Sequence, residues 1–207
     1  MARFVLVHGA WHGAWCFERL SAELERRGHE SWAPDLPCDE VGLTVHDYAA
    51  VVGSHPDAIV VGHSLAGLTI PFVPAALSVF LAALVPVEER SSALDPEFHG
   101  TQRDELGRSF WPDLRTTRER LYPELDERDA ALAFERLRPQ APVEPVLELP
   151  AGPRASIVTT GDRALRPEWQ SRAARETLGV EPLELAAGHS PFLTHPRELA
   201  DLLESLV

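Results

Sequence analysis

Short apolar runs recur along the chain, and between them lie segments whose apolar residues fall at helical spacing. Phe4-Val5-Leu6-Val7 opens the series as a buried strand. A loop His8–Ala14 leads to a predicted helix over Trp15–Arg27, with Phe17, Leu20, Ala22 and Leu24 on one face and Gly28 as its stop. A second strand is predicted at Ser31–Asp35, ended by Pro34 and Pro37, and a helix at Val45–Val52. The β-branched run Ala58-Ile59-Val60-Val61 predicts a third strand, and the apolar runs Val79–Val85 and Ala155–Thr159 predict two more. A helix over Pro167–Leu178, a strand Pro182–Leu185 and an amphipathic helix Pro196–Leu206 complete the pattern. Alternating strands and helices predict an α/β architecture with a six-stranded, mostly parallel, doubly wound sheet in the order 2-1-3-4-5-6.

Between about residues 88 and 150 the pattern stops. This stretch is dense in Asp, Glu and Arg, with scattered aromatics (Phe98, Phe110, Trp111, Tyr122, Phe134) and one amphipathic segment, Asp129–Leu137. It reads as a reduced cap inserted into a single domain spanning 1–207 and sitting over the sheet edge.

Charge narrows the function classes. The net charge is −13 and the 19 basic residues are scattered, which excludes nucleic acid and anionic membrane surfaces as expected partners. All 19 are arginine. Without lysine, Schiff-base chemistry, pyridoxal phosphate enzymes and P-loop nucleotide sites are excluded together. Cys16 and Cys38 form no redox or metal motif, and the nine histidines include no HExxH pair, so neither a metal nor a cofactor is expected. Leu68–Val87 is uncharged and long enough to cross a bilayer. It carries Pro71, Pro74 and Pro86 and follows a turn motif, so it reads as a buried helix running into a buried strand. With no signal-peptide pattern behind Met1-Ala2-Arg3, a cytoplasmic monomer or homodimer is expected.

The candidate chemistry lies at predicted strand ends. In Ile59-Val60-Val61-Gly62-His63-Ser64-Leu65-Ala66-Gly67-Leu68 a strand enters a sharp turn and a helix is expected to leave it, the setting that lifts a nucleophilic serine above a sheet. Gly62 meets the need for a small residue, while Ala66 stands at the second small position with Gly67 behind it. A serine hydroxyl needs a base. His189, in Gly188-His189-Ser190, follows the last strand, whereas His63 points away from its neighbour Ser64 on such a turn. Asp162, in Thr160-Gly161-Asp162-Arg163, follows the strand Ala155–Thr159 and can fix the imidazole tautomer. The chain order serine, aspartate, histidine suits this fold. Two backbone N–H groups, from Leu65 and from Ala10 in the loop His8–Gly13, are the candidate oxyanion donors. Trp11, His12, Phe110, Trp111 and Phe134 are the candidate substrate-pocket residues.

The opening Phe4–Trp15, the elbow, the Gly161-Asp162-Arg163 turn with Glu168-Trp169-Gln170 behind it, and Gly188-His189 resemble the α/β-hydrolases that include plant methylesterases, salicylate-binding esterases and hydroxynitrile lyases. The resemblance covers most of the chain outside 88–150. It implies an α/β-hydrolase fold, Ser64, Asp162 and His189 as a triad, and Ala10 and Leu65 as oxyanion donors. Hydroxynitrile lyases of this kind carry threonine where Gly9 stands and lysine where Ser190 stands, so the expected activity is hydrolysis of a small carboxylic ester or related acyl substrate. Lyase or carbon–carbon bond hydrolysis on the same triad, and non-catalytic binding of a small ligand, are the alternatives.

Overall fold

The computed structural model describes residues 1–88, 92–96 and 99–207, so Phe98 lies outside the described residues. Strand β1 (Arg3–Val7) passes through a short 3-10 turn, Ala14–Phe17, into helix α1 (Glu18–Arg26). Strand β2 (Glu30–Trp32), helix α2 (Val45–Val52) and strand β3 (His55–His63) follow. β2 is shorter than its pattern suggests and ends before Pro34, which has no N–H to give the ladder. A capping box between Thr44 and Asp47 starts α2, and Gly53 at φ 81° ends it.

The segment after β3 departs from expectation. In place of a helix, two 3-10 turns, Ser64–Leu68 and Ile70–Phe72, lead directly into strand β4 (Ala75–Leu81). Pro71 opens the second turn and Pro74 closes it. Neither can donate the i→i−4 bond that a continuous helix requires. The uncharged run therefore owes its composition to burial.

The described residues between 88 and 150 form regular elements. A two-stranded antiparallel hairpin, β5 (Gln102–Arg103) and β6 (Ser109–Phe110), precedes helices α3 (Leu114–Leu121) and α4 (Glu127–Glu135). Asp113 and Asp126 cap the two helices by accepting from the Thr116 and Asp129 backbone N–H groups. The remaining elements are β7 (Arg154–Thr159), α5 (Pro167–Ala173) with a wider turn Ala174–Leu178, β8 (Leu183–Leu185), α6 (Pro191–Thr194) and α7 (Pro196–Glu204).

The main sheet runs β2-β1-β3-β4-β7-β8, parallel throughout, which is the predicted order 2-1-3-4-5-6. Alternate side chains of each strand feed two cores. Phe4, Leu6, Ile59 and Val61 join Phe17, Leu20 and Leu24 of α1 and Leu199 and Leu203 of α7 on one face. Val5, Val7, Ala58 and Val60 join Tyr48 and Val52 of α2 and Trp169 and Ala173 of α5 on the other. Phe4 to Val7 have no exposed surface, and burying each such side chain stabilises the fold by roughly 1.5–3 kcal/mol.

The cap adds Trp111, Leu121, Tyr122, Leu125, Ala130 and Ala133 to the first core. Its polar ties run to loops at the carboxyl ends of the strands. The Arg138 N–H donates to the Trp11 carbonyl after β1, Asp95 and Arg166 exchange backbone bonds with Ala164 and Ala93 after β7, and the Gly188 N–H after β8 donates to Glu124. The cap thus closes the end of the sheet where ligands of open α/β folds bind.

Candidate active site

Ser64 sits where β3 ends, with φ at 53°, a left-handed conformation that costs a non-glycine residue energy and is held by its surroundings. Three glycines make room for this turn. A Cβ on Gly62 would lie 2.7 Å from Ile70 Cγ2, and one on Gly67 would fall onto the Leu84 carbonyl oxygen. A Cβ on Gly9 would lie 2.8 Å from Ser64 Cβ and 2.9 Å from the His63 carbonyl oxygen. Ala66 is buried at the second small position, and the glycine behind it at 67 leaves no room for a Cβ.

Three loops converge on Ser64. His189 Nε2 lies 3.1 Å from Ser64 Oγ, and His189 Nδ1 lies 2.8 Å from Asp162 Oδ2. A carboxylate only accepts, so Nδ1 carries the proton and Nε2 turns its lone pair toward the serine hydroxyl. His189 and Asp162 are buried, while Ser64 is partly open to solvent.

Asp162 is held from every side. Its Oδ1 accepts from the Ala164 and Leu165 N–H groups at 2.7 and 2.9 Å. Its Oδ2 accepts from Thr159 Oγ1 at 3.0 Å and Gln170 Nε2 at 2.9 Å, in addition to His189. Gln170 also donates to the Leu165 carbonyl, which ties the aspartate turn to α5. These donors replace the hydration that burial takes from the carboxylate.

Ala10 and Leu65 flank the serine. Ala10 follows Gly9, whose backbone touches the elbow, and Leu65 directly follows Ser64. His8 and His12 bracket Ala10 in sequence and are both buried. His8 Nδ1 lies 2.9 Å from the Gly9 carbonyl oxygen, and the Leu36 N–H donates to His8 Nε2 at 2.9 Å. His12 Nδ1 lies 2.8 Å from the Ala10 carbonyl oxygen, and its Nε2 lies 2.7 Å from the Tyr122 hydroxyl. Burial lowers His8 to about 4 and His12 to about 3, so both are neutral at ordinary pH. His63 is likewise pushed well below the usual histidine range by burial. Its Nε2 donates to the His189 carbonyl at 2.9 Å.

The five candidate pocket residues fall in different settings. Trp11, at φ 63°, is partly exposed, and its indole N–H donates to Ser109. Its ring meets Trp111 edge-on at 5.4 Å. Trp111 is buried in the first core, while Phe110 and Phe134 are half-buried on β6 and α4. His12 has both ring nitrogens bonded and no polar atom left to offer a ligand.

The bonds of Thr159, Tyr122 and His8 at the site are not marked in the sequence. Gln170 appears there only as part of a motif. A glutamine in the first turn of α5, between buried Trp169 and Ala173, was the available signal for Gln170. Among the described residues, no group of three or more His, Cys, Asp or Glu is arranged to hold a metal ion. Among them too, no helix is long and apolar enough to cross a membrane.

The chain is similar to a probable esterase of Oryza sativa, 31% identical over 251 aligned positions covering 97% of this chain and 94% of that protein. It is similar to salicylic acid-binding protein 2 of Nicotiana tabacum, 30% identical over 97% of this chain and 95% of that protein. These alignments are longer than the 207-residue chain, so the relatives carry residues that this chain lacks. The fold matches the crystal structure of polyneuridine aldehyde esterase with a TM-score of 0.84 at 21% identity, covering 100% of this chain and 99% of that one. The model of the alpha/beta hydrolase family matches residues 4–202, and the chain belongs to that family.

Proposed function

We propose that the protein hydrolyses small carboxylic esters by two-step acyl transfer through Ser64. His189 takes the proton from Ser64 Oγ as the oxygen attacks the ester carbonyl, and Asp162 steadies the imidazolium that forms. The Ala10 and Leu65 N–H groups receive the negative oxygen of the tetrahedral intermediate. His189 then gives its proton to the departing alcohol, and water activated by the same nitrogen clears the acyl-enzyme. The reaction balances with ester and water alone.

The observation that carries this reading is the run Ser64 Oγ–His189 Nε2–Asp162 Oδ2, at 3.1 and 2.8 Å, beginning at a serine held at φ 53°. The esterase names of the relatives support the choice of an ester. Trp11, Phe110, Trp111 and Phe134 are the proposed apolar walls of the acyl or alcohol pocket.

A fluorophosphonate probe followed by peptide mass spectrometry tests the nucleophile. Ser64 is expected to be labelled in the folded protein and not after denaturation. A folded protein whose Ser64 stays unlabelled, and which turns over none of a panel of methyl and p-nitrophenyl esters, would be a binding protein on this fold. Cleavage of cyanohydrins or β-diketones in preference to esters would move the reading to lyase or carbon–carbon hydrolase chemistry.

A further inference from the structure

The two peptide units on either side of Ala10 each end in a carbonyl held by a buried histidine. The Gly9 carbonyl faces His8 Nδ1 at 2.9 Å, and the Ala10 carbonyl faces His12 Nδ1 at 2.8 Å. A carbonyl oxygen only accepts, so each Nδ1 must carry the proton.

The far nitrogen of each ring meets a group that agrees with this. The Leu36 backbone N–H donates to His8 Nε2 at 2.9 Å, so that nitrogen carries no proton. The Tyr122 hydroxyl, 2.7 Å from His12 Nε2, is a rotor that can donate to the bare nitrogen. Both chains of bonds therefore run one way. One goes from Leu36 N–H through His8 to the Gly9 carbonyl, the other from Tyr122 O–H through His12 to the Ala10 carbonyl.

We infer that His8 and His12 are positioning residues that aim and polarise the Ala10 N–H, and that the cap controls this donor through Tyr122. The inference rests on the ester-hydrolase reading of the site. Its physical basis is the trans peptide. The Gly9 carbonyl and the Ala10 N–H belong to one planar unit and point opposite ways, so fixing the oxygen fixes the direction of the hydrogen. A bond accepted by that oxygen also strengthens the N–H of the same unit as a donor. On the other side, the His12 bond fixes the unit that leads into Trp11, which is held at φ 63°. The cap reinforces that turn from outside, since the Arg138 N–H donates to the Trp11 carbonyl at 2.8 Å. Aimed donors stabilise an oxyanion without reorganising during the reaction.

Three variants and one spectrum test the inference. Tyr122→Phe keeps the ring and removes the hydroxyl. His12→Gln reaches toward the Nε2 position and loses the inner bond, whereas His12→Asn places an amide N–H near the Nδ1 position. Tyr122→Phe and His12→Gln are expected to lower kcat about tenfold or more with little change in KM, a part of the roughly 10²–10³ lost when an oxyanion donor is deleted. They are expected to weaken a trifluoromethyl ketone, which mimics the oxyanion, by the same factor while leaving the product carboxylate unaffected. His12→Asn is expected to recover most of the loss. Long-range nitrogen–proton NMR of the wild type is expected to show both His8 and His12 as the neutral Nδ1–H tautomer.

An Nε2–H tautomer at either histidine overturns the inference whatever the turnover. So do variants that lose stability while the folded fraction keeps its kcat and its ketone affinity, in an active wild type labelled at Ser64. A wild type that neither hydrolyses esters nor labels at Ser64 removes the hydrolase reading itself, and the inference falls with it.

Discussion

The sheet and the region over its carboxyl ends are built by different rules. In the sheet, Phe4 to Val7 alternate between two cores, and each side chain is interchangeable in kind with any apolar group of similar volume. Over the carboxyl ends, single polar atoms decide position. Asp162 accepts from five donors, and the two histidines around Ala10 each use both ring nitrogens. The first region tolerates variation and supplies stability. The second has no spare partner for any of these atoms, and it holds the proposed chemistry.

Five measurements press on that contrast. Ser64→Ala is expected to lower kcat by about 10⁴-fold or more while leaving the thermal midpoint nearly unchanged, because it removes the proposed nucleophile and almost no buried contact. A stable variant that retains a tenth of the activity would detach the chemistry from the elbow.

Acid comes next. Unfolded histidines take up a proton near 6.5, whereas folded His8 and His12 resist it down to about 4 and about 3. Below 6.5 the unfolded state therefore binds more protons. The stability these residues carry is complete above that value and is lost as pH falls toward 4. Each contributes a loss of about 1.4 kcal/mol per pH unit within that window. Urea midpoints measured from neutral pH downward check it, and a midpoint flat to about pH 5 would contradict neutral burial of these rings.

Leu6→Ala, in the first core, is expected to cost about 2–5 kcal/mol of stability and to leave kcat of the folded fraction unchanged. Denaturant unfolding read beside active-site titration separates the two. The smallest effect is expected from Ala66→Gly. The change removes one buried methyl, so stability and kcat should each move by no more than about 1 kcal/mol. Gly67→Ala, whose methyl would strike the Leu84 carbonyl, is the matching change that should fail to fold normally.

The same division explains what could be read from the sequence. The strand order, and the placing of Ser64, Asp162 and His189 at three strand ends, follow from period and punctuation, which are local. Tyr122 pairs with His12 across 110 residues, and nothing near either one marks the other. Thr159 and Gln170 look like ordinary polar residues until the aspartate turn folds back onto them. The run after the elbow misled for a different reason. Leu68 to Val87 is apolar because it is buried, but Pro71 and Pro74 hold it in short turns where composition alone suggests a helix. The seat of the cap is not legible locally, because its ties, such as Gly188 to Glu124, run between segments far apart in the chain.

Arg27, at the end of α1, reaches Asp201 and Glu204 of α7 at 2.5 and 2.6 Å, and Leu20 and Leu24 share a core with Leu199 and Leu203. Helix α1 therefore finds its partner 174 residues downstream, in a segment synthesised well after it. Until then β1 and α1 present an uncovered apolar face, and closing so long a loop is slow. A nascent chain of this kind depends on whatever shields that face during synthesis, and truncation within α7 should strand the first helix as surely as deleting it.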